Sequence, residues 1–418
     1  MRFKTVLTLA LMVAAASLSP AYSQRAPGVS STPGSQLTVY VMTMGPGDLV
    51  WERFGHNAIW IHDELGGTDI AYNYGMFDFQ QENFLLRFAQ GRMLYWMEGF
   101  NAELMAQAYI RADRTVWVQE LNLTPAERAE LRDFLVWNAR PENRYYLYNY
   151  YYDNCSTRVR DAIDLVLGGR LEEQTAGVPS GATYRSHTRR LTSNDVPVYT
   201  GLMLGLGQPV DVPISLWEEM FLPLKLRTTL NDLTVLNELG QEEPLVVSER
   251  LLYESTKSGV PASPPHWISG YLLASGLVAG IIALLGWLSP RRLAARRGFV
   301  SLSVVWSLFA GSGGLILAAL WALTDHTTSY RNENLFQLNP LSLALIVLIP
   351  ALAFGAEWAV RPARWLAFCV AGLAALGFVL QILPWLDQVN GAPIALALPI
   401  HISVAWGVVN LARNRIVR

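Results

Sequence analysis

Five apolar runs of membrane-spanning length follow one another in the second half of this 418-residue chain. They cover roughly residues 268–288, 300–323, 341–360, 364–386 and 394–412. A helix needs about twenty apolar residues to cross a bilayer core of about 30 Å. The pattern therefore predicts a membrane domain over residues 267–412, built as an all-α bundle of about five transmembrane helices.

Arginines predict the orientation of this bundle. The first connection, the flanks of the third run and the end of the chain are arginine-rich: Arg291, Arg292, Arg296, Arg297, Arg361, Arg364, Arg413, Arg415 and Arg418. The second and fourth connections, 324–340 and 387–393, hold only Arg331 between them. Because basic loops stay in the cytoplasm, the preceding domain is expected in the periplasm of a bacterial inner-membrane, multi-pass protein.

The N-terminal half carries the signals of an exported domain. Residues 1–23 combine a basic start, an apolar stretch to Leu18 and small residues ending near Ser23, which predicts a secretory signal peptide. A retained N-terminal anchor is the alternative, and it exports the same segment. A proline-rich linker at 256–266 separates an exported domain at 36–255 from the membrane domain.

Composition narrows the chemistry of the exported domain. A net charge of −2 excludes the basic footprint of a nucleic-acid-binding protein. Of the two cysteines, Cys369 lies inside an apolar run, so Cys155 has no partner in the exported half. An unpaired thiol outside the cytoplasm points to a use. We find no metal-ligand spacing and expect neither a metal nor a cofactor.

A histidine and a helix start give the thiol its possible partners. His56 lies about a hundred residues upstream, at the start of an apolar run, and could serve as general base. A helix is predicted to begin at Cys155, capped by Asp153 or Asn154. Its dipole would favour the thiolate, and amides near Ser156 would receive an oxyanion. The plainer alternative is a structural cysteine and a surface histidine.

The same region predicts an α+β fold. Alternating residues indicate strands at 36–43, 56–62 and 69–74, and Thr124 with Glu127 forms a capping box that opens a helix. A hairpin between the second and third strands would bring Asn73 to the face of His56. Asn73 is therefore the first candidate for a third catalytic residue, with His62 behind it. The tyrosine-rich run 144–152 is expected to be extended and partly buried, as core or as the wall of an acyl-chain site.

Several short motifs, taken in order, resemble the Lnb N-terminal periplasmic domain family. They are Phe54-Gly55-His56, Tyr72-Asn73-Tyr74-Gly75, the run 154–161 from Asn154 to Asp161, and Phe221-Leu222-Pro223. The loop 326–340, with His326, Asn332 and Asn334, is similar to that family's membrane part. The resemblance implies a permuted papain-like (NlpC-like) domain in which histidine precedes cysteine.

The resemblance also implies an activity and its site. A fatty acyl group would pass from a phospholipid, through a thioester on Cys155, to the N-terminal amine of a bacterial lipoprotein. His56 and Asn73 would complete the catalytic group. The expected substrate-binding residues are Asn154, Ser156, Arg158, Tyr72, His326, Asn332 and Asn334.

Two other functions fit the same residues. A papain-like hydrolase, an amidase or peptidase of the cell envelope, would use water instead of an amine. An inactive domain could act as a membrane-tethered binding or assembly protein. A five-span anchor favours acyl transfer, because both lipid substrates lie in the membrane. For the loop 326–340, a structural cap on the spans and a wall of the lipid site are equally open.

Overall fold

The computed structural model describes residues 32–237, 239–257 and 259–416, with no account of the side chains of 414–416. The predicted signal peptide lies outside the described residues. All the β-strands of the described residues lie in the exported domain. They are β1 (Leu37–Met44), β2 (His56–Asp63), β3 (Thr68–Met76), β4 (Leu94–Asn101), β5 (Val116–Leu121), β6 (Tyr145–Leu147), β7 (Pro179–Thr183), β8 (Pro213–Ser215), β9 (Thr234–Leu236), β10 (Glu242–Pro244) and β11 (Val246–Tyr253).

Seven of these strands form one antiparallel sheet in the order β11-β5-β1-β2-β3-β4-β6. The predicted strands match β1, β2 and β3 to within two residues at each end. In the β2–β3 hairpin, Ala58 pairs with Asn73. That register brings Asn73 two residues from the position opposite His56, on the neighbouring strand.

Nine helices of the described exported domain surround the sheet. They are α1 (Phe84–Gln90), α2 (Ala102–Arg111), α3 (Pro125–Asn138), α4 (Cys155–Val166), α5 (Arg170–Thr175), α6 (Tyr184–Leu191), α7 (Val196–Gly205), α8 (Leu216–Glu219) and α9 (Pro223–Asp232). As predicted, Thr124 and Glu127 cap α3 reciprocally, and α4 begins at the thiol.

The sheet is buried on both faces because apolar residues of both parities line its central strands. On one face, Val41 and Ile59 pack with Ile163 of α4 in the main core. On the other, Met42 and Ala58 pack against α2. Helix α4 thus packs its apolar side chains onto the sheet at β2 and β3, and its first turn lies at one end of this hairpin.

The rest of the chain is helical and apolar. Its helices are α10 (Ile268–Leu288), α11 (Leu293–Leu323), α12 (Ser342–Phe354), α13 (Val360–Val379) and α14 (Gly391–Ile416). Four described segments are long and apolar enough to cross a membrane: α10, α11, the region of α13 and α14. The exported α+β domain is therefore followed by an all-α membrane bundle.

Helix α12 is shorter than the apolar run 341–360 that predicted it. It has 13 residues, or about 20 Å at about 1.5 Å per residue, against a bilayer core of about 30 Å. Gly355, with a left-handed φ of 115°, ends the helix. Apolarity alone cannot reveal this stop, so the expectation of five full-length helices holds for four of the five.

An irregular segment before α12 packs between the neighbouring apolar helices. The Gln337 side chain donates to the Ala374 carbonyl at 3.0 Å, and His401 Nε2 donates to the Gln337 carbonyl at 2.8 Å. A Cβ on Gly314 would lie 2.4 Å from the Leu338 carbonyl oxygen, so only glycine permits this approach. Non-helical backbone is tolerated in a membrane where protein buries it in this way.

The exported domain rests on the outer loops of the bundle. Asn332 and Asn334 donate their side-chain amides to carbonyls at the end of α7, at 2.8 Å to Leu204 and 2.9 Å to Met203. Gln388 donates to the Leu206 carbonyl at 3.1 Å. These buried contacts hold the exported domain against the outer surface of the membrane.

Candidate active site

The first turn of α4 positions Cys155. Asn154 is the helix cap, as the sequence predicts, and its side-chain oxygen accepts from the amides of Ser156 at 2.8 Å and Thr157 at 2.9 Å. Its side-chain nitrogen donates to the Phe221 carbonyl at 3.0 Å. With both ends of the cap engaged, the thiol projects from a fixed helix terminus.

His56 is held by Asn73. The two side chains meet at 3.0 Å between His56 Nε2 and Asn73 Oδ1. The Asn73 amide nitrogen already donates to the Ala71 carbonyl and to Met105 sulfur. Because Oδ1 can only accept, Nε2 must be the donor. The imidazole then keeps its lone pair on Nδ1, which is the state that a general base requires.

The histidine and the thiol lie at the same end of the β2–β3 hairpin. Continuing the register from Ala58 and Asn73 places Gly75 across from His56. A Cβ on Gly75 would lie 3.4 Å from the Cys155 Cβ, and φ at Gly75 is 87°. The thiol thus lies against the end of β3, near the end of the hairpin at which His56 begins β2. A hydrogen bond between His56 Nδ1 and the sulfur stays a prediction.

Burial makes both groups neutral at rest. It raises the pKa of the Cys155 thiol to about 11, although backbone amides of Asn57 and Ser156 and the charge of Arg114 lower it. Burial lowers the pKa of His56 to about 4, against the opposing hydrogen bond to Asn73. The expected preference for thiolate is therefore wrong for the resting site: the helix-start amides act as expected, but burial outweighs them.

Arg114 is a further site residue that sequence reasoning missed. Its guanidinium is buried, lies 4.6 Å above the Tyr109 ring and donates from Nε to the Gly45 carbonyl at 2.8 Å. Tyr109 in turn stacks on His56, with ring centroids 6.0 Å apart. Arg114 Nη2 is buried without a hydrogen-bond partner among the described residues. No local pattern marks this arginine, because only the packing of α2 brings it here.

Tyrosines of the aromatic run wall the thiol. Only Tyr145–Leu147 form a strand, and the run continues as a loop to the start of α4. Tyr148 packs beside Cys155 in the core, and burial raises its pKa well above the usual value. The Tyr146 hydroxyl is buried without a partner among the described residues and faces the Gly75 position that also contacts Cys155. These walls are partly buried, as predicted, and neutral.

Other predicted site residues have structural partners. Arg158 pairs with Asp153 at 2.5 Å and covers the Tyr146 ring at 4.3 Å. The Ser156 hydroxyl donates to a backbone carbonyl at 2.7 Å, and its amide, which bonds the Asn154 side chain, also lowers the pKa of the Cys155 thiol. Tyr72 is buried in the main core, on the sheet face opposite Asn73.

Two further histidines lie away from the pair. His62 bonds Asp69 at 2.8 Å, toward the other end of β2, so Asn73 and not His62 contacts His56. His326 donates to the Phe88 carbonyl at 2.8 Å, at the junction between α1 and the membrane bundle. With Asn332 and Asn334 it joins the two parts of the molecule, and a direct role of the three in substrate binding stays a prediction.

Within the described part of the chain, no group of three or more His, Cys, Asp or Glu side chains could hold a metal ion.

The comparisons with known proteins define the class first. The family model described as Lnb N-terminal periplasmic domain matches residues 28–190, and that described as Lnb transmembrane domain matches residues 264–414. The protein is thus a multi-pass membrane protein with a periplasmic α+β domain. The chain belongs to the Lnb family. No curated protein and no solved structure matches it.

Proposed function

We propose that the protein is a thiol acyltransferase that moves a fatty acyl group from a phospholipid to the N-terminal amine of a bacterial lipoprotein. The observation that carries the proposal is one thiol, beside buried tyrosines, at the end of the hairpin that carries an Asn73-bound imidazole. Contacts with the outer loops of the membrane domain support the placement of the exported domain at the membrane surface. The phospholipid and the lipoprotein both present their ester and amine groups at that surface.

The first half-reaction forms a thioester. His56 Nδ1 takes the thiol proton as Cys155 sulfur attacks the carbonyl carbon of the lipid ester. The backbone amides of Asn57 and Ser156, which point at the sulfur, stabilise the oxyanion of the tetrahedral intermediate. The intermediate collapses when the C–O bond breaks, and the lysophospholipid oxygen takes the proton from the imidazolium. The acyl group is left on sulfur.

The second half-reaction delivers the acyl group to nitrogen. The α-amine of the lipoprotein's diacylglyceryl-cysteine attacks the thioester carbon, and His56 accepts the amine proton. The C–S bond breaks, and the sulfur recovers a proton from the imidazolium. The tyrosine walls keep water from the thioester, which favours the amine over hydrolysis.

A neutral pair suits this chemistry. An imidazolium–thiolate pair would be costly in an apolar pocket that accepts acyl chains. In this proposal the thiol and the imidazole both stay neutral until the ester arrives, when proton transfer accompanies attack. The papain-like arrangement of Cys155, His56 and Asn73 is part of this proposal.

The test is Cys155→Ser in the full-length protein. This variant should abolish lipoprotein N-acylation while remaining folded and membrane-inserted, because a serine hydroxyl near one imidazole is a far weaker nucleophile. Wild type given phospholipid and no acceptor should accumulate a hydroxylamine-sensitive acyl group on Cys155, read by mass spectrometry. Cys369→Ala is the matched control and should keep full activity.

Two results would overturn the proposal. One is full acyl transfer by Cys155→Ser. The other is a wild-type protein that cleaves cell-wall peptides and never carries an acyl group, in which case the hydrolase function replaces acyl transfer.

A further inference from the structure

Helix α1 exposes apolar side chains that nothing in the described part of the exported domain covers. Leu85 is 80% exposed, Leu86 56% and Phe88 46%. Two neighbours extend the patch: Phe79 is 59% exposed and Trp51 54%, and their rings contact each other at 5.7 Å. Exposed apolar patches of this kind mark interaction sites.

The patch lies at the outer edge of the bilayer. Membrane helix α11 ends at Leu323, which is 80% exposed. Two residues later the Asp325 amide donates to the Gln90 carbonyl at 2.8 Å, and His326 donates to the Phe88 carbonyl. The apolar face of α1 is therefore continuous with the lipid-facing end of α11, and outer-leaflet lipid is the partner that this position supplies.

A series of aromatic rings joins α1 to the thiol. Each ring contacts the next, and the distances are between successive ring centroids. They are 5.2 Å from Phe84 to Phe79, 5.1 Å from Phe79 to Phe77, 5.1 Å from Phe77 to Tyr95 and 4.2 Å from Tyr95 to Tyr148. A Cβ on Gly75 would lie 3.8 Å from this last ring and 3.4 Å from the Cys155 Cβ, so the ring is close to the thiol. We call these five residues the aromatic track.

We infer that residues 77–90 form a lip inserted into the outer leaflet, and that the aromatic track guides the acyl chain of a membrane lipid from this lip to Cys155. The insertion of the lip is inferred from its exposed apolar side chains and its contacts with the end of α11, independently of the proposed function. The guiding role rests on the proposed acyl transfer. An acyl chain lying along flat, uncharged rings keeps its apolar surroundings as it leaves the bilayer.

Insertion is measured first, without catalysis. In a Cys155→Ser, Cys369→Ala background, Leu85→Cys carries an environment-sensitive fluorophore in vesicles of phosphatidylglycerol and phosphatidylethanolamine. Brominated acyl chains should quench this label. The matched control is Leu65→Cys, 76% exposed on the β2–β3 turn, which should not be quenched. Equal quenching at both positions, or none at Leu85, would exclude the lip.

Guidance is measured with two acyl donors. Leu85→Asp combined with Leu86→Asp should lower transfer from vesicle phospholipid by about tenfold, because charged groups resist insertion into lipid. Acylation of Cys155 by a short-chain, water-soluble thioester, which releases the donor's thiol, should stay near the wild-type rate, since the site itself is intact. Leu65→Asp should change neither rate.

The outcomes separate the two proposals. If the double variant transfers phospholipid chains at the wild-type rate, acyl chains do not enter through the lip, and guidance from the lip to Cys155 is excluded. If wild type transfers no phospholipid chain at all, acyl transfer from phospholipid fails, while the quenching result still decides whether the lip enters the bilayer.

Discussion

At the scale of single residues, surroundings rather than sequence neighbours decide how Cys155 reacts. The helix start lowers the pKa of its thiol, but burial raises it to about 11, and the pKa of His56 falls to about 4. Nucleophilicity then depends on proton transfer to His56 at the moment of attack. A preformed thiolate is absent from this scheme.

Alkylation of Cys155 tests this protonation state. Because the thiolate is the reactive form, the rate with iodoacetamide should rise about tenfold per pH unit from pH 7 toward pH 10. Peptide mass spectrometry follows Cys155, with Cys369 as internal reference. A rate plateau between pH 6 and 8 would instead reveal an imidazolium–thiolate pair.

The same shifts predict how stability depends on pH. The folded state keeps the Cys155 proton that the unfolded chain loses above its ordinary pKa of about 9, so the free energy of unfolding falls as pH rises toward 11. His56 has the opposite effect at acid pH. The unfolded chain binds a proton on this histidine below about pH 6.5, but the folded state does so only near pH 4, so the free energy of unfolding falls as pH drops from about 6.5 to about 4. Denaturant unfolding of Cys155→Ser and His56→Gln should show each dependence removed separately.

Asn73 and His62 give a matched pair of variants. Asn73→Ala removes the acceptor that orients the imidazole, and acyl-enzyme formation should slow by roughly ten- to a hundredfold. His62→Ala removes a histidine bonded to Asp69, so its rate should stay near wild type. Single-turnover kinetics with a fixed donor measures both. Equal losses in the two variants would contradict the assignment of Asn73.

At the scale of elements, two helix caps differ in what they hold. Thr124 caps α3 and Asn154 caps α4, each through hydrogen bonds to the amides of the first turn. Replacing either by alanine should lower the free energy of unfolding by about 1 kcal/mol. Only Asn154→Ala should also reduce acyl-enzyme formation, because it loosens the turn that carries the thiol. Activity lost equally in Thr124→Ala would attribute both effects to stability alone.

Local signals explain which elements the sequence could predict. Strands β1 to β3 and the starts of α3 and α4 follow from alternation and capping residues within a few positions of each other. The short α12 was not predictable from apolarity, since Gly355 ends the helix within an apolar run. Arg114 was not predicted as a site residue, because its packing against Tyr109 depends on the tertiary fold and not on a local sequence pattern.

At the scale of the whole molecule, contacts with the exported domain indicate on which side of the membrane two connections lie, whatever the number of helices that cross. After α11, Asp325 contacts Gln90 of α1, and before α14, Gln388 contacts Leu206 beyond α7. The chain thus returns to the periplasmic side at both points. Helix α14 is long enough to cross and therefore ends on the other side, with the arginines of the α10–α11 connection.

Cysteine accessibility in spheroplasts tests this arrangement in the Cys155→Ser, Cys369→Ala background. Val389→Cys lies on the exposed surface of the connection before α14 and should react with a membrane-impermeant maleimide in intact spheroplasts. Arg291→Cys, exposed in the connection between α10 and α11, should react only after lysis. Two independent arguments lead to this expectation. Basic loops are retained in the cytoplasm, and hydrogen bonds join the other loops to the exported domain. Labelling of Arg291→Cys in intact spheroplasts would show that one of the long helices does not cross, and the exported domain could not then rest on both outer loops.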